Sequence, residues 1–365
     1  MPHPEDRRQF VFKLAALSAA LVGGAALSGC GDGDDEQADF LYGVASGDPL
    51  ADRVILWTHA RYPTSDEPVD LRYEVADDAG FGTLVATGEV TASSSTGYTA
   101  KVDAAGLAPG RNYYYRFTAG ATRSPVGQTR TLPATAAEVK FAVLSCANYP
   151  AGYFNVYAEV ARSDAQFALH LGDYLYEYDA AGYASAGAAA LGRISQPTNE
   201  LLTLADYRLR YAQYRSDADS KTLHARMPMI AVWDDHEVAN DAWKDGAENH
   251  SPATEGSWAA RRAVALQAYH EWMPIRTGAD PARIYRSFDF GSLVSLHMLD
   301  TRLLGRDRQI DIAELAGLAG PTAQAAATVA FSSPTRQMLG SEQLAWLQGR
   351  MAASTPPGRC WASRF

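Results

Sequence analysis

Cysteine is scarce in this chain: Cys30, Cys146 and Cys360 are the only three among 365 residues. So few, so widely spaced, exclude a disulfide framework. Positive charge is also in deficit. Lys and Arg number 32 against 42 Asp and Glu, for a formal net charge of -10. That balance argues against a general nucleic-acid or anionic-membrane surface, because phosphate-backbone binding takes most of its affinity from clustered cations. Long apolar runs are missing too. The stretch 14–27 is interrupted by Gly23 and Gly24 and falls short of the roughly 20 residues that span a bilayer. What the chain does have is 47% hydrophobic residues, enough for a sizeable core and for two globular units behind a leader.

The leader is read from Asp6-Arg7-Arg8-Gln9-Phe10, the modest apolar stretch after it, and Leu27-Ser28-Gly29-Cys30. Paired arginines before a short hydrophobic segment predict twin-arginine export, and small residues ending on cysteine predict lipid attachment at Cys30. Gly31-Asp32-Gly33-Asp34-Asp35-Glu36 then reads as an acidic tether. Residues 1–37 are thus expected to be signal and tether. The expected partners are the twin-arginine export machinery and, through the anchor at Cys30, a membrane, with the protein on the outer side of the cytoplasmic membrane in the cell envelope.

From 38 to 134, short runs at 54–58, 71–75, 83–87, 98–102 and 112–117 alternate apolar and polar residues between Asp, Gly and Pro. This predicts a small all-β sandwich of fibronectin or immunoglobulin type, serving as a shield or spacer. Tyr113, Tyr114 and Tyr115 are read as packing residues rather than as a ligand-stacking surface.

From 138 to 354 the pattern changes to α/β. A strand at 139–144, a helix at 152–162 and a strand at 167–171 make a βαβ unit, so the sheet is expected to be at least partly parallel. Further helices are expected at 205–214 and 254–272, and a hairpin from 283–288 and 293–299. Three apolar runs end on residues that bind metals: Ser145-Cys146, Gly172-Asp173-Tyr174-Leu175-Tyr176, and Asp234-Asp235-His236-Glu237. Ligands at the carboxyl ends of parallel strands describe a cation site at a sheet edge.

Asp173 is the candidate bridging carboxylate, with Gly172 letting the backbone approach a cation closely. Tyr176 offers a phenolate, which favours a trivalent metal such as ferric iron, and Cys146 offers a thiolate. The alternative for Cys146 is a small buried hydrophobe. Asp235, His236 and Asn240 lie just past the third run, and the hard oxygen donors among them suit calcium or another divalent ion. Asp173, Asp235 and His236 form the expected catalytic group. His170 is read as a satisfied core histidine, and Arg302 either as a phosphate fork or as a structural partner of Asp300.

Together, Tyr42-Gly43-Val44-Ala45-Ser46-Gly47-Asp48-Pro49, Ser145-Cys146, Gly172-Asp173-Tyr174-Leu175-Tyr176-Glu177-Tyr178, Trp233-Asp234-Asp235-His236-Glu237-Val238-Ala239-Asn240, Leu299-Asp300-Thr301-Arg302 and Met338-Leu339-Gly340 resemble the alkaline phosphatase D family, the PhoD-type metallophosphoesterases. The resemblance implies an incomplete layered α/β metallophosphoesterase fold behind the small sandwich. It also implies an exported phosphomonoesterase and phosphodiesterase that scavenges phosphate from small phosphate esters. Carried onto this chain, it puts Fe3+ on Cys146, Asp173 and Tyr176, and Ca2+ on Asp173, Asn240 and Asp235, with another pair such as Zn2+ or Mn2+ as the alternative. A monomer without sequence-specific nucleic-acid binding is expected.

The resemblance breaks at the end. Family members continue past Met338-Leu339-Gly340 to a Gly-Asp-x-His segment, whereas the last histidine here is His297. Residues 355–365 do not continue the helical pattern of 342–353 and are read as an aberrant, frameshifted tail, with a natural short variant as the alternative. A catalytically dead envelope lipoprotein, or a diesterase acting on nucleic acid or lipid headgroups, are the competing functions.

Overall fold

The computed structural model of the protein describes residues 36–310 and 321–363. The paired arginines, the expected lipidation residue Cys30 and most of the tether lie outside the described residues. Among the described residues no helix is long and apolar enough to cross a membrane.

The strands in chain order are β1 (Val44–Gly47), β2 (Arg53–His59), β3 (Val69–Ala76), β4 (Leu84–Ala92), β5 (Thr99–Ala105), β6 (Asn112–Ala119), β7 (Thr122–Arg123) and β8 (Gly127–Arg130). They continue with β9 (Phe141–Leu144), β10 (Phe167–His170), β11 (Met229–Ala231), β12 (Arg286–Phe290), β13 (Val294–Met298) and β14 (Gly358–Ala362).

The all-β region follows from alternation. In β3, Val69, Leu71 and Val75 point inward, and in β6 Tyr113, Tyr115 and Phe117 do the same. They pack on Val44, Val54 and Leu56 from the facing layer. Two members of the tyrosine triplet are therefore core, as their period-two spacing requires. One layer of this sandwich is β4-β3-β6-β7 with β8 on β6.

The other layer does not stop at the sandwich. Its strands β5, β2 and β1 run on through β11 and β10 to β9 as a single six-stranded sheet. β1 pairs with β11 in parallel, Gly47 opposite Met229, and β11, β10 and β9 are parallel neighbours. The inner parallel strands β10 and β11 are short and buried throughout, as strands packed on both faces are, whereas the edge strand β9 leaves Val143 exposed. Helices Asn155–Arg162, Leu204–Ser216, Ala218–Arg226 and Trp258–Trp272 contribute Tyr157, Tyr207, Tyr211, Leu223, Tyr269 and Trp272 to a core with Phe167, Leu169, Ile230 and Trp233.

Several expected boundaries move for local reasons. The helix expected at 152–162 begins only at Asn155, because Tyr149–Ala151 forms a 3-10 turn first. The helix expected at 254–272 is broken at Gly256, whose φ is 85°. It restarts with Ser257 accepting the N–H of Ala260. Helix Ala218–Arg226 was not expected; Asp217 caps it by accepting the N–H groups of Asp219 and Ser220. The hairpin forms from β12 and β13, the first strand a little later in sequence than expected and the second within the expected bounds. The tail, expected to be aberrant, carries β14, which lies parallel to β13 with Cys360 opposite Leu296.

Candidate functional site

Strands β9, β10 and β11 end side by side, and their exits are stitched together by backbone. Cys146 N–H donates to the carbonyl of Gly172 at 3.2 Å, and Ala147 N–H to that of Asp173 at 2.8 Å. Both Cys146 (φ 60°) and Asp173 (φ 52°) sit in the left-handed region, where a residue with a Cβ costs on the order of 1 kcal/mol or more and is held only by its surroundings. Gly172 has φ +100°, and a Cβ there would fall 2.3 Å from the backbone N of Asp234. What this glycine is seen to make room for is the backbone of Asp234.

Glu237 completes the stitching. Its buried carboxylate accepts the N–H of Tyr174 at 2.6 Å and of Asp234 at 2.8 Å, tying the exits of β10 and β11. Burial pushes its pKa up to about 8, helped by the charge of Asp173 and opposed by the two N–H bonds.

Held this way, Asp173, Asp235 and His236 each bring one ligand atom within 4.8 Å of the others, and all three are buried. The Tyr176 hydroxyl donates to Asp173 Oδ2 at 3.1 Å, and its ring lies 4.2 Å from that of His236, centre to centre. Burial drives the Tyr176 hydroxyl well above its ordinary range, with Asp173 and Cys146 adding to the shift through charge and hydrogen bonding. Cys146 is exposed, so the reading of a buried hydrophobe is excluded.

Electrostatics around the cluster are dominated by burial and by two partners, Arg302 and Glu177. Burial raises Asp235, but the charges of Arg302 and His236 and the N–H of Asp241 bring it below the usual carboxylate range. Asp234 goes the other way, to about 7, through burial and the charge of Asp235. Burial lowers His236, yet its hydrogen bond to Glu177 and the surrounding carboxylates outweigh that and raise it to about 9. His236 Nδ1–H donates to Glu177 Oε2 at 2.7 Å.

Sequence reading therefore named most of what the structure gathers: Cys146, Asp173, Tyr176, Asp235 and His236 meet at three strand ends. Asn240 is near, with its N–H on Glu177 at 2.7 Å, but its side-chain amide donates to Glu248 at 2.6 Å. Arg302 is corrected. Its guanidinium bonds Asp234 at 2.6 Å and reaches Asp235 and Asp241 at 3.4 Å, while Asp300 accepts the backbone N–H groups of Arg302 and Leu303. His170 is a core histidine, its Nε2 2.9 Å from the Tyr157 hydroxyl. Glu177 and Glu237 were missed; their only signal was an unexplained acid beside each ligand run.

Carboxylates, an imidazole, a phenol and a thiol gather at the carboxyl ends of parallel strands in this α/β protein, a group that could hold a metal ion. The chain belongs to the PhoD-like phosphatase family: residues 141–364 match that family, and residues 25–133 match the family's N-terminal domain. It is 38% identical over 372 residues to alkaline phosphatase D of Bacillus subtilis (strain 168), covering 96% of this chain and 61% of that protein. A solved structure of PhoD superposes with a TM-score of 0.77 at 38% identity, covering 89% of this chain and 62% of the other. The chain thus spans about three fifths of the length of these relatives.

Proposed function

We propose that the protein is a metal-dependent phosphoric ester hydrolase acting on small phosphate monoesters and diesters. The observation that carries this is the convergence of Asp173, Asp235 and His236 within 4.8 Å, beside Tyr176 and Cys146, in a chain of the PhoD-like phosphatase family. The donor set fits cations: hard carboxylates, a phenol whose proton burial retains unless a cation compensates, and an accessible thiol. Cys146, Asp173 and Tyr176 would hold ferric iron, and Asp173, Asp235 and Asn240 calcium. Bound cations supply Lewis acidity and neutralise charge on the phosphoryl oxygens.

The chain's own residues then have distinct tasks. Asp173 lies between the two donor sets and would be shared. His236, clamped through Nδ1, would have Nε2 to offer a cation. Arg302 is committed to three aspartates, so it sets the charge of the cluster rather than gripping phosphate in a fork. In the same reading the protein is exported by the twin-arginine route, anchored through a lipid on Cys30, and acts as a monomer in the cell envelope to scavenge phosphate.

Two measurements test the proposal. Protein supplied with iron and calcium should bind both and hydrolyse a chromogenic phosphate ester, and Asp173→Ala should lose both properties. A wild-type protein that takes up neither ion and leaves the ester intact would overturn the reading. For the anchor, Cys30→Ala should move the protein out of the membrane fraction.

A further inference from the structure

Glu177 is fully buried and bonds groups from three separate stretches of the chain. Its Oε2 accepts Nδ1–H of His236 at 2.7 Å, while Oε1 accepts the N–H of Asn240 at 2.7 Å and Nδ2–H of Asn249 at 2.8 Å. Its own carbonyl accepts the N–H of Leu201 at 3.0 Å. Asn249 is held in turn: its N–H donates to Asn240, and its carbonyl accepts from Arg261 at 2.9 Å. Arg261 belongs to helix Trp258–Trp272 and pairs with Glu200 and Glu255. The carboxylate is therefore fixed from behind by groups far from the cluster.

We propose that Glu177 is a positioning residue that, with Asn249 behind it, fixes the ring of His236 with a proton on Nδ1 and with Nε2 facing Asp173 and Asp235. The inference rests on the reading of that cluster as a cation centre. Both oxygens of the Glu177 side chain are engaged as acceptors, so His236 meets it with a donor, and the ring nitrogen that donates is Nδ1. Where a cation takes the place of the ring's second proton, the opposite nitrogen would offer its lone pair to the cluster, the arrangement by which outer partners orient imidazole ligands and raise their basicity. An amide at 177 cannot do this: with its oxygen toward Asn240 and Asn249, its NH2 confronts Nδ1–H, and the ring must turn or change tautomer.

The test uses the full chain and two readouts. In metal-free protein, proton NMR should show a strongly hydrogen-bonded Nδ1 proton, assigned to His236 by its loss in His236→Gln. Glu177→Gln should lose that proton and bind iron and calcium about 10- to 100-fold more weakly. Asn249→Ala should keep the proton and weaken binding only a few-fold. If Glu177→Gln does not fold, Glu177→Asp serves, and it should shift the proton and weaken binding by an intermediate factor. A folded Glu177→Gln, or Glu177→Asp, with an unchanged proton signal and wild-type cation affinity overturns the proposal. Should wild-type protein bind neither ion, the cation reading fails by itself, and the proton signal alone decides whether Glu177 orients the ring.

Discussion

The Glu237 carboxylate accepts the backbone N–H of Tyr174 at 2.6 Å across 63 positions of sequence. With its second bond, to the N–H of Asp234, it fixes the distance between two strand exits that each carry a candidate ligand. An amide in its place would have to turn an NH2 toward one of two buried donors. Glu237→Gln is expected to lower stability by about 2–4 kcal/mol. Urea unfolding with an unchanged midpoint would show that the staple contributes nothing.

Gly172→Ala should be worse than its single added carbon suggests. The new Cβ would meet the Asp234 N at 2.3 Å and its Cβ at 2.6 Å, at a φ of +100°. Backbone cannot swing aside as a side chain can, so a loss of about 3 kcal/mol or more is expected, with a lower thermal midpoint and weaker cation uptake. Retained midpoint and uptake would count against the close packing of the two exits.

Arg302→Ala would remove the guanidinium that joins the nearly buried Asp234 and Asp235 and leave the two acids side by side without that cation. Removal of one partner from such a network costs about 3–5 kcal/mol. Arg302→Lys keeps the charge but not the fork that spans Asp234, Asp235 and Asp241, so it should recover only part of the loss. Equal stability of the two variants by thermal denaturation would rule out a role for the fork.

Buried histidines set the acid limit of the fold. Burial lowers His59 to about 4, assisted by Arg61, and His270 to about 4, assisted by Lys101. Burial also takes His224 well below its ordinary value. Between pH 6.5 and 4 the unfolded chain binds protons that the folded one refuses, so stability falls as pH falls. It is fully present above about 6.5 and lost as pH drops through about 4, on the order of 3 kcal/mol for His59 and for His270. Thermal midpoints measured from pH 7.5 to 4 should decline through that window; a flat profile would contradict the burial of these rings.

How much was legible in the sequence depended on whether a residue's role is local. Cys146, Asp173 and Asp235 could be found because each follows an apolar run that stops at it, and strand ends are where such sheets expose ligands. The inward tyrosines of β6 followed from alternation alone. Glu177 and Glu237 could not be assigned, because the side-chain partners of Glu177 lie 59 to 72 positions away and the bond by which Glu237 crosses to the other strand exit spans 63, and only the fold brings them together. Arg302 was misassigned for the same reason: Asp300 is near in sequence, but the guanidinium reaches to Asp234, 68 positions off. β1 escaped notice because four residues, two of them small and one polar, carry too little pattern to announce a strand.

That inconspicuous β1 has a consequence for how the molecule could be divided. It lies between β2 and β11, and the residue after it, Asp48, is buried against Arg286 and the backbone of Arg276. Cutting near position 135 would tear the layer along a line of peptide hydrogen bonds and leave Arg286 without its carboxylate partner. The fragment bearing the strand-end donors would need Val44–Gly47 and Asp48 supplied to it, in trans or by grafting, before it could close its own sheet.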